Sequence, residues 1–293
     1  MIREPAPAKV NLTLRVGALR EDNYHPVDSI VVFADQGDAL HVEPADTLSL
    51  SVEGPCAAGV PDGEDNLVLK AVRLLAAASG HEAKGRIRLD KQIPAGAGLG
   101  GGSADAAAAL RAFNRLWALD WPLDMLAGLG AEIGSDVPAC VWSQPLRMSG
   151  RGERIRLIAD WPAFPALLVN PDIPVSTGLV FAAFDAMPGG TGAGFRLTGG
   201  MDRFSILSDL DVAGNDLTGP ACTVAPVIRD VLGALEASEN AALVRMSGSG
   251  ATCFAIYPDT DSRDIAARNI GRDHPDWLIF PVVFQGAGGI SGA

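Results

Sequence analysis

Five glycines fall within the seven positions 96–102, in the run Pro94, Ala95, Gly96, Ala97, Gly98, Leu99, Gly100, Gly101, Gly102, Ser103. Such a run leaves few side chains to keep an anion from the backbone, and it permits the positive φ angles of a concave nest of N–H groups. Ser103 and the alanines behind it predict a helix, whose N-terminus presents unpaired N–H groups and a partial positive charge. That combination favours recognition of a di- or triphosphate. Asp105 is expected in the first turn, where a carboxylate suits the dipole.

Two further readings fit the same glycines. Gly96, Gly98 and Gly101 satisfy the spacing GxGxxG of dinucleotide-binding loops. However, Pro94 separates them from the preceding strand, and the chain after the helix passes through Asp120, Trp121 and Pro122 into another helix, not a strand ending in a ribose-binding acid. A flexible turn with a serine helix cap is the plainer alternative. No Gly-Lys-Ser/Thr closes the run, so it is not a Walker A loop.

Outside the loop, Asp136 follows a second predicted helix and precedes Pro138, a position suited either to a base or to an N-cap. Lys9 by itself reads as an ordinary strand lysine, and Lys91 as a charge ahead of Pro94. Neither the four cysteines nor the four histidines show the spacing of a zinc site or a disulfide framework.

The elements that must position these residues are readable from periodicity. Strands are predicted over 10–16, 29–33, 39–42 and 48–52, a helix over 66–79 and a strand over 85–89. Helices follow the glycine loop and span 123–133. After a polar turn near 150–162 come a strand over 166–170, a helix over 177–186 and a glycine-rich, mobile connector over 188–200. Helices near 222–237 and 261–270 then alternate with strands over 242–246, 253–257 and 277–284. This grouping predicts an α+β architecture of two domains, 1–155 and 156–293.

With 293 residues, 48% of them hydrophobic, the chain is long enough for a substantial core. No apolar run approaches a membrane span and the first residues do not resemble a signal peptide, so a cytoplasmic protein is expected. A formal charge of −12 opposes nucleic acid and anionic membranes as partners. It also opposes nucleotides, which must find a locally positive pocket.

Residues 94–107 resemble the second motif of the GHMP small-molecule kinases. Residues 7–12, Pro-Ala-Lys-Val-Asn-Leu, resemble the first motif, and residues 246–252, Met-Ser-Gly-Ser-Gly-Ala-Thr, the third. Order and spacing agree along nearly the whole chain. The resemblance implies the two-domain GHMP kinase fold, with a strand-rich N-terminal domain and a ferredoxin-like C-terminal domain. It implies ATP as phosphoryl donor, bound by residues 94–103, with Mg²⁺ accompanying the nucleotide and no protein side chain singled out as a metal ligand. Asp136 is implied as the base and Lys9 as the cation orienting it and the attacking hydroxyl. Residues 134–138 and 171–177 are similar to the branch of the family that acts on a cytidine-diphosphate sugar alcohol. Within that branch Tyr24 and Phe181 are implied to stack on the cytosine and His25 to hydrogen-bond it. Asn11, Thr177, Gly248 and Ser249 are implied to complete the substrate site, and Lys91 to lie near the nucleotide or diphosphate. Asn23 stands where glycine is more usual before the tyrosine, and asparagine tolerates the left-handed turn. A homoserine- or mevalonate-type specificity, or a non-catalytic nucleotide-binding module, are the alternatives. A monomer or weak homodimer is expected.

Overall fold

The computed structural model describes residues 1–21, 24–187, 197 and 200–288. In the first half, β1 (Ile2–Asn11), β2 (Arg15–Val16), β3 (Val27–Glu43) and β4 (Leu48–Glu53) precede helix α1 (Leu67–Ser79). Strand β5 (Gly85–Asp90) leads through the glycine loop to α2 (Gly101–Leu116), α3 (Leu123–Ile133) and α4 (Val137–Trp142), and β6 (Leu146–Gly150) and β7 (Arg154–Leu157) form a hairpin. In the second half β8 (Phe164–Asn170), β9 (Leu243–Met246), β10 (Cys253–Ile256) and β11 (Leu278–Phe284) are covered by α5 (Thr177–Asp185), α6 (Arg203–Ala213), α7 (Thr218–Val224), α8 (Val227–Glu236) and α9 (Thr260–Asp273).

The two halves share one sheet, ordered β4-β5-β3-β11-β8-β10-β9, with β1, β2 and β6 also paired to β3. Strand β3 therefore organises the molecule. The separate strands expected over 29–33 and 39–42 are one strand, because β1 accompanies it antiparallel from Ile2 opposite Val42 to Asn11 opposite Val31. A register shift between Pro7 and Lys9 absorbs the irregularity that the sequence pattern suggests is a break. Gly37 permits the close approach: a Cβ there would stand 2.3 Å from the Ala6 carbonyl oxygen. The first strand begins at Ile2, ahead of the expected 10–16. It pairs with β3 alone, and such an edge strand tolerates Pro5 and Pro7.

Helix α1 opens on Asn66, whose side chain accepts from the Val68 N–H, and stops at Gly80 in the left-handed conformation. Its apolar stripe packs with α2, α3 and α4 on β1, β3, β5 and β6 in one core. A second core lies between α5, α7, α8, α9 and the β8–β10 face. A third joins the halves, with Val10, Val32 and Leu99 meeting Phe164, Phe254 and Phe284. The helix expected over 222–237 is two, since Pro226 removes an N–H donor and separates α7 from α8. Helix α6, unforeseen from the pattern, is capped by Asp202, which accepts from the Ser205 N–H. Of the 188–200 connector and the Asp22-Asn23 turn, residues 188–196, 198–199 and 22–23 lie outside the described residues. Among the described residues no helix is long and apolar enough to cross a membrane.

Candidate active site

Helix α2 starts at Gly101, two residues before the expected Ser103, with Gly100 at its N-cap at φ 62°. The early start places Asp105 beyond the first turn, contrary to expectation, and inside the protein. The loop is pinned from both halves. Leu99 is buried and its carbonyl accepts from the Lys9 N–H at 2.9 Å. The Ala97 carbonyl accepts from the Thr252 N–H at 3.2 Å, and the Gly98 carbonyl from the Ser247 hydroxyl at 3.0 Å. Gly98, at φ 76°, passes so close to the third motif that a Cβ would lie 2.6 Å from the Gly250 oxygen. Residues 247–252 are thus the floor under the phosphate loop.

Strand β1 delivers Lys9 beneath this loop, its side chain 4% exposed. The ammonium lies 2.8 Å from Asp136 Oδ1 and donates to Asn11 Oδ1 at 3.1 Å. Asn11 is oriented in turn: its Nδ2 donates to the Ser29 hydroxyl at 2.8 Å, and its backbone N–H to the Ser247 hydroxyl at 3.2 Å. Asp136 occupies the N-cap position of α4, yet its side chain makes no capping bond. The carboxylate, 35% exposed, pairs with Lys9 and lines the cavity instead of capping the helix.

The cavity, of about 750 Å³, continues to an aromatic end. The rings of His25 and Phe181 stack at a centroid separation of 5.2 Å, and the Arg151 guanidinium sits 3.6 Å above the Tyr24 ring. His25 Nδ1 is 2.9 Å from the Gly17 carbonyl and Nε2 is 3.3 Å from the Asp185 carboxylate, so both ring nitrogens already face acceptors. The Ser176 side chain accepts from the Leu179 N–H and caps α5, leaving Thr177 to share a 2.9 Å hydrogen bond with Ser249 across the cavity wall.

Of the residues singled out in the sequence, Lys9, Asn11, Tyr24, His25, Gly96, Ala97, Gly98, Gly100, Gly101, Gly102, Ser103, Asp136, Thr177, Phe181, Gly248 and Ser249 line this one cavity. Pro94, Ala95 and Leu99 do not; Leu99 instead anchors the loop in the core. Lys91 is also absent from the lining. It is neither solvated nor in the cavity, but buried between Asp38 at 2.5 Å and Asp105 at 2.9 Å. The sequence reading passed over Arg151, Asp185 and Ser29. Arg151 had a signal in the Gly150-Arg151-Gly152 turn: a Cβ on Gly152 would lie 2.2 Å from the Ser135 oxygen, which ties the turn to the loop that carries Asp136.

A glycine loop at a helix N-terminus, a lysine-paired carboxylate and an aromatic end thus share one cavity. The GHMP kinases N terminal domain model matches residues 66–144 and the GHMP kinases C terminal model residues 209–276. A 4-diphosphocytidyl-2-C-methyl-D-erythritol kinase of Paramagnetospirillum magneticum is 48% identical, covering 94% of this chain and 96% of the relative. The chain belongs to the GHMP kinase family. A crystal structure of a 4-(cytidine 5'-diphospho)-2C-methyl-D-erythritol kinase superposes on this GHMP kinase with a TM-score of 0.75 at 32% identity, over 97% of this chain and 100% of the other. Homoserine kinase from Cytophaga hutchinsonii, at 17% identity and a TM-score of 0.73 over 97% of this chain and 96% of its own, shares the mixed α/β fold.

Proposed function

We propose that this GHMP kinase transfers the γ-phosphoryl group of ATP to the 2-hydroxyl of 4-diphosphocytidyl-2-C-methyl-D-erythritol, a step of the non-mevalonate route to isoprenoid precursors. The observation that carries the reading is the Lys9–Asp136 pair at 2.8 Å, placed between the glycine cradle and the Tyr24–His25–Phe181 end of one cavity. The high identity to kinases of that name supports the choice of acceptor.

Phosphoryl transfer asks the protein for in-line positioning and charge stabilisation. Residues 96–98 and 100–103 line the cavity, and the N-terminus of α2 among them offers unpaired N–H groups to a triphosphate. Asp136 accepts the proton of the attacking hydroxyl as the oxygen–phosphorus bond forms and ADP departs. Lys9 holds Asp136 in place and, with Asn11, orients that hydroxyl. The residues of the 96–103 loop would hold the phosphates together with their Mg²⁺, which would supply neutralisation of phosphate charge.

At the acceptor end, Tyr24 and Phe181 offer π-faces to the cytosine. His25 engages the base by exchanging its Asp185 contact or through its backbone. Thr177, Gly248 and Ser249 lie where the erythritol and diphosphate would pass. Residues 1–155 and 156–293 act as the two domains of a cytoplasmic monomer or weak homodimer.

A coupled ADP-release assay with 4-diphosphocytidyl-2-C-methyl-D-erythritol tests the reading, with homoserine and mevalonate as competitors. Preferred turnover of either competitor would keep the family and reject the acceptor. ATP binding with no ADP release on any of the three would indicate a non-catalytic module.

A further inference from the structure

Behind the phosphate loop lies an ion cluster that no step above uses. Asp38 on β3, Lys91 just after β5 and Asp105 on α2 have side chains 0%, 2% and 4% exposed. The chain between Lys91 and Asp105 is the loop itself, so the cluster closes both its ends onto the central strand. Asp38 Oδ1 accepts from the N–H groups of Gln92 and Ile93, at 2.6 and 2.9 Å, where the loop departs. Asp38 Oδ2 holds the Lys91 ammonium, which also donates to Asp105 Oδ2 in the helix where the loop ends. A Cβ on Gly101 would lie 3.3 Å from Lys91 Nζ and 3.6 Å from Asp38 Oδ2, placing the cluster directly beneath the first residue of the helix.

Asp105 Oδ1 is buried without a hydrogen-bond partner. With both carboxylates ionised the three side chains sum to one negative charge, held behind the helix terminus that must attract phosphates. With one carboxyl protonated they sum to zero. We propose that Asp38, Lys91 and Asp105 are positioning residues for the phosphate loop, and that Asp105 takes up a proton when the phosphates of ATP fill it. This inference rests on residues 96–103 being the ATP site.

The surroundings favour that proton. Burial and the neighbouring Asp38 carboxylate push Asp105 up to about 7, against the pull of Lys91. From α4 the Cys140 thiol faces it, itself pushed up to about 12 by burial and therefore uncharged. On β1, Lys9 is paired with Asp136. The charges of α1, Lys70 and Arg73, are paired at the surface with Asp65 and Glu64, and Asp124 and Glu132 of α3 are exposed. Proton and nucleotide binding must then be reciprocal: ATP raises the proton affinity of Asp105, and protonation raises the affinity for ATP.

The test is calorimetry of the intact protein with a non-hydrolysable ATP analogue and Mg²⁺ at pH 7.5, in two buffers of different ionisation enthalpy, for wild type and Asp105→Asn. A rise of one pKa unit on binding, from about 7, corresponds to roughly half a proton taken up and to a wild-type affinity falling up to about tenfold from pH 6 to 9. The Asp105→Asn variant should lose that proton and that slope. Equal uptake in both proteins, or none in wild type, overturns the inference while leaving the ATP site intact. Failure of wild type to bind the analogue overturns the reading of the loop as well.

Discussion

Replacing Gly98 with alanine tests the claim that the third motif is the floor of the phosphate loop. At φ 76° the new side chain would meet the strain of a left-handed L-residue, about 1–2 kcal/mol. Its Cβ would also lie 2.6 Å from the Gly250 oxygen and 2.8 Å from the Ser247 oxygen, whereas ordinary contact begins near 3.4 Å. Both obstacles are backbone, so one loop must move by several tenths of an ångström. Overpacking of this kind adds about 1–3 kcal/mol, for a total destabilisation of roughly 2–5 kcal/mol if the loop stays in place. If the loop lifts instead, stability is spared and ATP is misplaced, and an error approaching 1 Å lowers turnover by roughly 10²-fold. Gly96→Ala is the control, since φ is 70° there but nothing lies within 4 Å of a Cβ. In thermal melts it should show the strain alone. Thermal melts and ADP-release kinetics read the two outcomes together. A Gly98→Ala protein with wild-type melting temperature and wild-type kcat/KM for ATP would refute the reasoning.

Three further outcomes follow from the same geometry. Asp136→Asn should retain affinity for an ATP analogue while kcat falls roughly 10²–10⁴-fold, the share of a general base, and wild-type turnover would remove Asp136 from the mechanism. Tyr24→Ala should raise KM for the acceptor by roughly 3–10-fold, from about 0.5–1.5 kcal/mol of stacking, without altering ATP affinity; equal weakening of both substrates would contradict its placement at the acceptor end. Asp105→Asn bears on stability through pH. The native carboxyl, raised from 3.8 to about 7, binds more protons than the unfolded one between those values. Wild-type stability from this group therefore falls as pH rises through that window and stays low above it. Relative to wild type the variant should gain about 4 kcal/mol, on the order of ten degrees in melting temperature, at pH 8 and little near pH 4. A gap independent of pH would show that Asp105 is ionised throughout.

What the sequence made legible, and what it did not, follows sequence distance. The glycine loop, α1 and α2 are local patterns, and their boundaries fall within two residues of those expected. Most of the candidate residues meet in one cavity, and each sits in a compact motif. Lys91 was misread because its meaning lies in Asp38, 53 positions away, and in a carboxylate that seemed to belong to a helix's first turn. His25 lines the cavity as expected, but its partner Asp185 belongs to the other half of the chain. Strand β3 was split in two because periodicity registers the turn-like Asp35–Asp38 stretch, whereas the neighbouring β1, which carries the chain through it, is a tertiary fact.

Lys9 shows why the motifs must occur together. Its N–H holds the Leu99 carbonyl, its methylenes lie against Gly100, where a Cβ would stand 3.1 Å from Lys9 Cε, and its ammonium holds Asp136. One residue thereby sets the distance between the glycine loop and Asp136. The glycines make that proximity possible, because a side chain at position 100 would press on the lysine stem. Asn11, two residues along the same strand, connects that ammonium to Ser247 of the floor. In a chain of net charge −12, the proposed donor recognition would rest on a local arrangement of N–H groups, not on the overall field.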